Sequence, residues 1–376
     1  MLCKYKEITL DFLSGGKKYN TDPKKELFGC RFAFFACAGI RVTNFRFGTE
    51  RPRRSFILKT LKRRYKMETT ILKGEGIKDK ILAETQTKIV EVKVQFGATP
   101  GIAFIGFEGV ALAKYTIPLH VNLAEQLGFR AVLKMMPESV TEPALFAQVE
   151  ALNQDPDIHA IVILQPVPPH LNAMRISYHM IPEKEVEGFH PVNMLTTLLP
   201  EVMQNHYPMC LPAALGEIFK EAEIRPQKDQ RWVYLADDEF LENPLTKMII
   251  HVAALKAVPN HCPVTFITRN SSLREEICKQ ADFLVIITKY PEYVKPEWLK
   301  PGVCIIDIYS NLVKEVPSKN DPSKLVPVIR GGITAETVKG IASAILPIPG
   351  GLMTTVLAIL FRNALLAFVR QMQTRA

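Results

Sequence analysis

The chain has 376 residues, a formal net charge of +9, 47% hydrophobic residues and 23% charged residues, which is ordinary for a globular protein of about two domains. Its seven cysteines show no paired spacing and its eight histidines form no ligand pattern, so we expect neither a disulfide framework nor a metal site. No apolar stretch is expected to reach the roughly 18 residues of a membrane span. The longest candidate, residues 340–360, contains Pro347, Pro349 and several glycines.

The positive charge is concentrated at the N-terminus. Residues 1–66 carry 17 Lys and Arg against 5 Asp and Glu, a net of +12, whereas the rest of the chain has a net of −3. An Arg-rich leader with few acids is typical of a mitochondrial transit peptide. Two other interpretations stay open: an extension without a fold, or an arm that contacts nucleic acid. We therefore expect residues 1–67 to lie outside the folded body and the protein to be mitochondrial, with a cytoplasmic location as the alternative.

From Thr69 the sequence alternates between amphipathic helices and short buried strands. Helices are predicted over 73–96, 108–129 and 141–154, and strands over 101–107, 130–136 and 160–164. Pro118 lies within the second helix, so a kink or a first helical turn is expected there. The βαβαβ order predicts a parallel sheet with helices on its faces.

The alternation resumes after residue 206 and predicts a second α/β unit of Rossmann type over 207–346. A last helix over 352–373 is expected to return and pack on the first unit. The predicted fold is therefore α/β with two domains, 68–206 and 207–346, followed by a C-terminal segment, 347–376.

The stretch VILQPVPPHL, residues 162–171, breaks off an apolar strand with three prolines in four residues. Prolines at this point end the strand and stiffen the loop that leaves the sheet. Ligands in open α/β sheets bind at the carboxyl ends of strands, so this loop is a candidate binding element.

Three further motifs occur in register with this one and together resemble a single family. They are EVEGFHPVNMLTTL (185–198), YPMCLPAALGEIF (207–219) and PIPGGLMTTVLAILFRNAL (347–365). The chain from about Thr69 resembles the bifunctional methylenetetrahydrofolate dehydrogenase/methenyltetrahydrofolate cyclohydrolase family. The resemblance implies a folate-type catalytic domain at 68–206, an NAD(P)-binding Rossmann domain at 207–346, a reduced folate bound in the cleft between them, and a homodimer.

The resemblance also implies a catalytic lysine four residues after a tyrosine on the first long helix of the cleft. Tyr115 matches the tyrosine, but Leu119 stands at the lysine position and carries no proton. The side chains of Lys114 and His120 each point about 100° away, around the helix axis, from the side chain at the lysine position. Only a shift of the helical register at Pro118 would bring the His120 side chain to the lysine position.

In the loop that follows residue 163, Leu164 stands where the resemblance implies a glutamine that orients the lysine. Gln165 is displaced by one residue, which places its side chain on the opposite face of the strand. The substrate-binding positions implied by the resemblance are Gln165, Pro166, Glu187, Gly350 and Gly351. Glu187 is the acceptor expected for the two adjacent donors of a pterin edge.

The phosphate turn of the family aligns with YLADDEFLENP, residues 234–244. Ala236 replaces a glycine that lets backbone amides approach phosphate, and Asp237 and Asp238 replace an Arg-Ser pair. At about 5 Å and an effective dielectric constant near 20, each acid would repel a phosphate by roughly 3 kcal/mol. Arg269, at the position of a serine near the adenosine ribose, either holds a phosphate or is a solvated loop cation. We therefore expect NAD(P) to be implied by the family but not bound here.

Three functional hypotheses follow from these residues. In the first, the protein is a degenerate family member that binds folate weakly or not at all and acts through protein contacts, as a pseudoenzyme or structural subunit. In the second, it is an active NAD(P)-dependent methylenetetrahydrofolate dehydrogenase. In the third, it belongs to a mitochondrial assembly of proteins or of proteins and RNA, with residues 1–66 contacting nucleic acid.

Overall fold

The computed structural model of the protein describes residues 68–199 and 207–375. The predictions for residues 1–67 lie outside the described residues and stay predictions. The described residues belong to one compact unit, in which two lobes are each built on a parallel sheet. The predicted α/β fold is confirmed.

The first lobe follows a short strand, β1 (Thr70–Ile71). Its elements are α1 (Glu75–Phe96), β2 (Gly101–Phe107), α2 (Ala113–Leu127), β3 (Arg130–Met136), α3 (Glu142–Gln154), β4 (Ala160–Ile163), α4 (Ala173–His179) and α5 (Pro191–Leu198). The sheet is parallel, in the order β3-β2-β4. Every residue of β2 is buried, and alternate residues belong to apolar clusters on opposite faces of the sheet.

The second lobe carries a six-stranded parallel sheet. Its elements are α6 (Cys210–Glu221), β5 (Trp232–Ala236), α7 (Asp238–Glu242), α8 (Pro244–Ala257), β6 (Val264–Thr268), α9 (Arg274–Cys278), β7 (Phe283–Ile287), β8 (Cys304–Asp307), β9 (Asn311–Pro317), β10 (Leu325–Arg330), β11 (Ala344–Leu346) and α10 (Leu352–Arg375). The strand order is β1-β11-β8-β7-β5-β6, so residues 70–71 pair with this sheet although they precede the first lobe in the chain. Strands β9 and β10 form a separate antiparallel hairpin that the sequence did not predict.

Helix α10 returns to the first lobe, as predicted, and joins both lobes in one apolar core. Phe361 and Phe368 are fully buried, with their rings 5.9 Å from those of Phe129 and Phe96, respectively. The same core contains Phe104 of the first sheet and Trp232 of the second. Burial of each such side chain stabilises the fold by about 1.5–3 kcal/mol. The relative position of the lobes therefore depends on this helix.

The expectation that no apolar stretch is long enough to cross a membrane is wrong for α10. The helix has 24 residues, and its most apolar window meets the length and hydropathy of a span. The prolines and glycines that seemed to interrupt the stretch precede Leu352, and a single Arg362 does not offset the apolar residues around it. Because 61% of that window is buried inside the protein, its apolar character is explained by the core. One such helix is weak evidence for a span.

His159 is a buried histidine at the start of β4, beside α10. Its Nδ1 accepts a hydrogen bond from the backbone N–H of Gly101 at 3.0 Å, and its ring lies 4.7 Å from that of Phe368. Burial lowers the pKa of His159 to about 4, and the positive charges of Arg375 and Lys184 act in the same direction. The folded protein therefore holds this ring neutral well below pH 6.

We predict that His159 makes the protein sensitive to mild acid. Between pH 6.5 and about 4 the unfolded chain binds a proton here that the folded protein does not, so the free energy of unfolding falls as the pH falls, by up to about 1.4 kcal/mol per unit. His159→Asn retains an acceptor for Gly101 without titrating. Its free energy of unfolding in urea should fall less steeply from pH 6.5 to 5 than that of the native protein.

The matched control is His261→Asn, which removes an exposed histidine. Its pH dependence should equal that of the native protein. If the free energy of unfolding changed equally with pH in the native protein and in His159→Asn, the pH dependence assigned to His159 would be contradicted.

Candidate functional site

The face of α2 that carries the predicted catalytic positions meets the β9–β10 hairpin. The Tyr115 hydroxyl donates to Glu315 Oε1 at 2.8 Å, and Lys114 Nζ lies 2.5 Å from the same oxygen. Lys114 and Tyr115 together lower the pKa of Glu315. Leu119, one turn further along the helix, is 53% exposed. The candidate face thus pairs a tyrosine and a lysine with a carboxylate of the other lobe.

His120 does not reach this face. Its Nδ1 lies 2.7 Å from the carbonyl oxygen of Thr116, one turn back, and its ring packs edge-on against Phe104 of β2. Burial lowers its pKa. The helix continues through Pro118 to Leu127 without a slip that would exchange His120 for Leu119. The interpretation of His120 as a substitute for the lysine is therefore wrong in this geometry.

Leu164 and Gln165 follow the end of β4 and differ in their exposure. Leu164 donates its backbone N–H to Ile105 at 2.9 Å, and its half-buried side chain packs against the central core. Gln165 and Pro166 are exposed. The side chain next to the core is thus the apolar one, and the amide of Gln165 is on the solvent side.

Glu185, which the sequence did not single out, fixes the loop that carries Glu187. Its buried carboxylate accepts hydrogen bonds from the backbone N–H groups of Glu187, Gly188 and His190 at 2.9–3.0 Å, and from Asn193 Nδ2 at 3.0 Å. A carboxylate three residues before a loop glycine was the available signal, because such side chains accept from the N–H groups that follow them.

Glu187 lies between this carboxylate and Cys210 of α6. Burial raises the pKa of Glu187 to about 8, and the charge of Glu185 acts in the same direction. Burial and the charge of Glu187 in turn raise the pKa of the Cys210 thiol. A carboxyl group in this state is largely protonated at neutral pH, and a ligand that donates hydrogen bonds to it would lower its pKa.

Gly350 and Gly351 join α10 to the start of α1. Gly350 has a φ of 90°, and its carbonyl oxygen accepts from the backbone N–H of Gly74 at 2.8 Å. A Cβ on Gly351 would lie 2.5 Å from the carbonyl oxygen of Pro347. Both glycines are required by the backbone path itself, whatever they contribute to a ligand site.

The carboxyl end of β5, where the phosphate turn is expected, is occupied by side chains of the protein. Asp237 follows Ala236 and is 2% exposed. It accepts hydrogen bonds from the Thr288 hydroxyl at 2.8 Å and the Lys289 backbone N–H at 2.7 Å, and Arg269 Nε lies 3.3 Å from its Oδ1. The negative charge of Asp237 is therefore balanced by neighbouring groups of the protein. The repulsion of a phosphate expected from the sequence did not include these groups.

Arg269 contacts side chains of its own lobe in this structure. Its guanidinium lies 4.1 Å from the centre of the Tyr290 ring and 5.8 Å from that of Tyr293, while its Nε faces Asp237. Such stacking suits the planar, weakly hydrated guanidinium. The guanidinium is thus held by an internal ion pair and two aromatic rings, and a contact with a phosphate stays a prediction.

The remaining part of the turn is the short helix α7, which begins at Asp238. Glu239 pairs with Lys289 Nζ at 2.8 Å. At the N-terminus of α8, Asn243 Oδ1 accepts from the backbone N–H groups of Leu245 and Thr246 at 3.0 and 3.2 Å. The amides that usually attract an anion at such a terminus are therefore capped by the protein.

Fold and site together define a two-lobed α/β protein whose second lobe has the Rossmann type of sheet. Residues 72–187 match the profile of the tetrahydrofolate dehydrogenase/cyclohydrolase catalytic domain, and residues 209–372 match that of its NAD(P)-binding domain. The chain belongs to this family of one-carbon folate metabolism, as the sequence motifs predicted.

Individual relatives agree with this assignment. The bifunctional protein FolD of Desulfosudis oleivorans is 31% identical over 300 residues, which cover 80% of this chain and 97% of the relative. FolD of Desulfotalea psychrophila is 29% identical over 299 residues, with the same coverage of both chains.

Solved structures share the fold. The methylenetetrahydrofolate dehydrogenase-cyclohydrolase of Trypanosoma brucei, complexed with NADP and an inhibitor, superposes with a TM-score of 0.69 at 24% identity, covering 82% of this chain and 99% of that one. The NAD-dependent 5,10-methylenetetrahydrofolate dehydrogenase of Saccharomyces cerevisiae gives a TM-score of 0.61 at 16% identity, covering 82% of this chain and all of that one.

We predict that Asp237 stabilises the second lobe. Asp237→Ala removes the countercharge of Arg269 and leaves the Thr288 hydroxyl and the Lys289 N–H without their acceptor, so the free energy of unfolding should fall by about 3 kcal/mol. Urea unfolding at pH 7 measures this loss. The exposed Glu242→Ala removes an acid from the same turn and should change stability by no more than about 0.5 kcal/mol. Similar values for both variants would show that the buried pair adds nothing.

Proposed function

We propose that this protein is a family member that catalyses neither the dehydrogenase nor the cyclohydrolase reaction, binds folate weakly or not at all, and acts through protein contacts. The observation that carries the proposal is the occupation of the β5 carboxyl end by the Asp237–Arg269 pair. Three steps support it, one for each ligand or reaction of the family.

The first step concerns the dinucleotide. A bound NAD(P) supplies the oxidant for hydride transfer, and its phosphates need close backbone amides or cations. At this position the chain offers a buried carboxylate, a guanidinium already engaged by that carboxylate, and a helix terminus capped by Asn243. Binding a phosphate would require breaking the pair and placing the anion beside Asp237. These residues do not suit the cofactor.

The second step concerns the cyclohydrolase reaction, which needs a group near the reacting carbon that exchanges a proton at neutral pH. Leu119 cannot do so. The nearest amine, Lys114, is engaged by Glu315, and His120 faces Phe104. The half-buried Leu164 likewise has no amide with which to orient a base. The reaction therefore lacks both its proton carrier and the partner of that carrier.

The third step concerns folate itself. Glu185 fixes the backbone of Glu187, whose carboxylate can accept two hydrogen bonds from a pterin edge once it is ionised. With its pKa raised to about 8, ionisation at pH 7 costs free energy that ligand binding must supply. This supports weak binding of folate through one retained contact.

An active NAD(P)-dependent dehydrogenase is the alternative. The match to an NAD(P)-binding domain and the NADP complex of the Trypanosoma brucei relative favour it. It would require the Asp237 turn to rearrange when the dinucleotide binds. Ligand binding to the native protein separates the two functions.

We also propose that the protein works as a subunit, in a homodimer or in a larger mitochondrial assembly. Strand β6 ends the order of the six-stranded sheet, and Val264 on it is 37% exposed. An edge strand of this kind can pair with a second chain.

Light scattering distinguishes a dimer from a monomer. The salt dependence of RNA binding tests whether residues 1–66 contact nucleic acid.

NADP⁺ at 2 mM should leave the melting temperature of the full-length protein unchanged within about 1 °C. A ligand stabilises the folded state by RT ln(1+[L]/Kd), which is negligible when Kd exceeds the ligand concentration several-fold. NAD⁺ should give the same result. A bifunctional FolD relative, measured in parallel, serves as the positive control. A shift of several degrees with either dinucleotide would support the dehydrogenase instead.

The purified protein should hydrolyse methenyltetrahydrofolate no faster than buffer does. A positioned acid–base group is worth about 10²–10⁴-fold in rate, so its restoration is measurable by the loss of methenyl absorbance. Leu119→Lys alone should remain inactive, because an unoriented amine at the cleft wall is misplaced. The double variant Leu119→Lys with Leu164→Gln is the one expected to regain activity.

Glu187→Ala in that double variant serves as the control and should abolish any activity that appears. Enzymic turnover by the unmodified protein would refute the proposal.

A further inference from the structure

The β9–β10 hairpin is attached to its own lobe mainly at its base. Asn311 Nδ2 donates to the carbonyl oxygen of Thr288 at 3.1 Å, and Arg330 Nε lies 3.5 Å from a carboxylate oxygen of Glu292. The two strands pair with each other and not with the six-stranded sheet. Val313, Leu325 and Val326 are exposed along its length. In the part of the chain that the structure describes, the hairpin is therefore not held by strand pairing with either sheet.

Halfway along β9, Glu315 crosses to the other lobe. One oxygen of its carboxylate accepts from the Tyr115 hydroxyl and lies 2.5 Å from Lys114 Nζ. Both partners are on α2, next to the exposed Leu119. Helix α10 and the backbone junction of Gly74 with Gly350 hold the lobes together through other residues. The Glu315 contact therefore bridges the lobes at a second point.

We propose that residues 311–330 form a lid over the part of α2 that carries Lys114 and Tyr115, and that Glu315 is the latch that holds the lid closed on these two side chains. While the latch is closed, the Tyr115 hydroxyl is engaged by Glu315. A ligand can reach this face only if it displaces the Glu315 carboxylate or if the hairpin moves away from α2. This closure by Glu315 is the same whichever ligand binds at the face.

The strength of the latch suits a reversible closure. The side chains of Lys114 and Glu315 are 56% and 25% exposed, so the ion pair is partly hydrated and screened by salt. The hydrogen bond from Tyr115 adds a charge-assisted contact. Together such contacts alter an opening equilibrium by about five-fold, rather than locking it.

Hydrogen–deuterium exchange of the full-length protein at pH 7 tests the latch. Glu315→Ala should accelerate exchange of the backbone amides in 311–330 by about five-fold. Lys314→Ala is the matched control, because it removes a long side chain from the adjacent position of the same strand, where alternation points it to the opposite face. It should change the exchange by less than two-fold.

A mutant cycle identifies the partners. Tyr115→Phe and Lys114→Met should each accelerate exchange of the hairpin in the native background and add nothing in the Glu315→Ala background. The proposal is overturned if Glu315→Ala leaves exchange unchanged, if Lys314→Ala has an equal effect, or if the α2 substitutions add fully to Glu315→Ala. An equal effect of Lys314→Ala would mean that the hairpin responds only to loss of strand propensity.

Discussion

Burial of α10 against α1 and α6 is the packing constraint on which both lobes depend. Its apolar side chains enter a core that also receives residues of both sheets, and Asn363 donates to the carbonyl oxygens of Val186 and Pro208. Val186 belongs to the loop of Glu187, and Pro208 precedes α6. The helix that joins the lobes therefore also fixes the loop that carries the candidate pterin acceptor. A shift of α10 would move the site together with the core.

At the carboxyl end of β5 the electrostatics follow from burial. A carboxylate that is almost completely removed from water needs hydrogen bonds and a countercharge, and Asp237 obtains them from Thr288, Lys289 and Arg269. The stacking of Arg269 on Tyr290 keeps the countercharge in place. Under the proposed function, the arrangement that makes Asp237 stable in the fold is also the one that opposes an incoming phosphate.

The family fold survives extensive change because packing and chemistry depend on sequence in different ways. A relative that shares 31% of its residues over 300 positions has the same domain profile, since an apolar residue of suitable size is enough to fill most core positions. A proton carrier or a phosphate ligand is not replaceable in this way, because its function depends on one atom in one place. Leu119 and Asp237 are compatible with the fold, and under the proposed function each alters what its site can do.

The sequence by itself determined the α/β alternation, the two parallel sheets, the returning C-terminal helix and the family, since these depend on local periodicity and on four motifs in register. Which groups neutralise Asp237, where Arg269 points, that His120 turns towards Phe104 and that Glu315 reaches Tyr115 were decided only by the tertiary structure. These contacts join residues up to 200 positions apart, so their partners depend on how the lobes and loops pack and not on any local pattern.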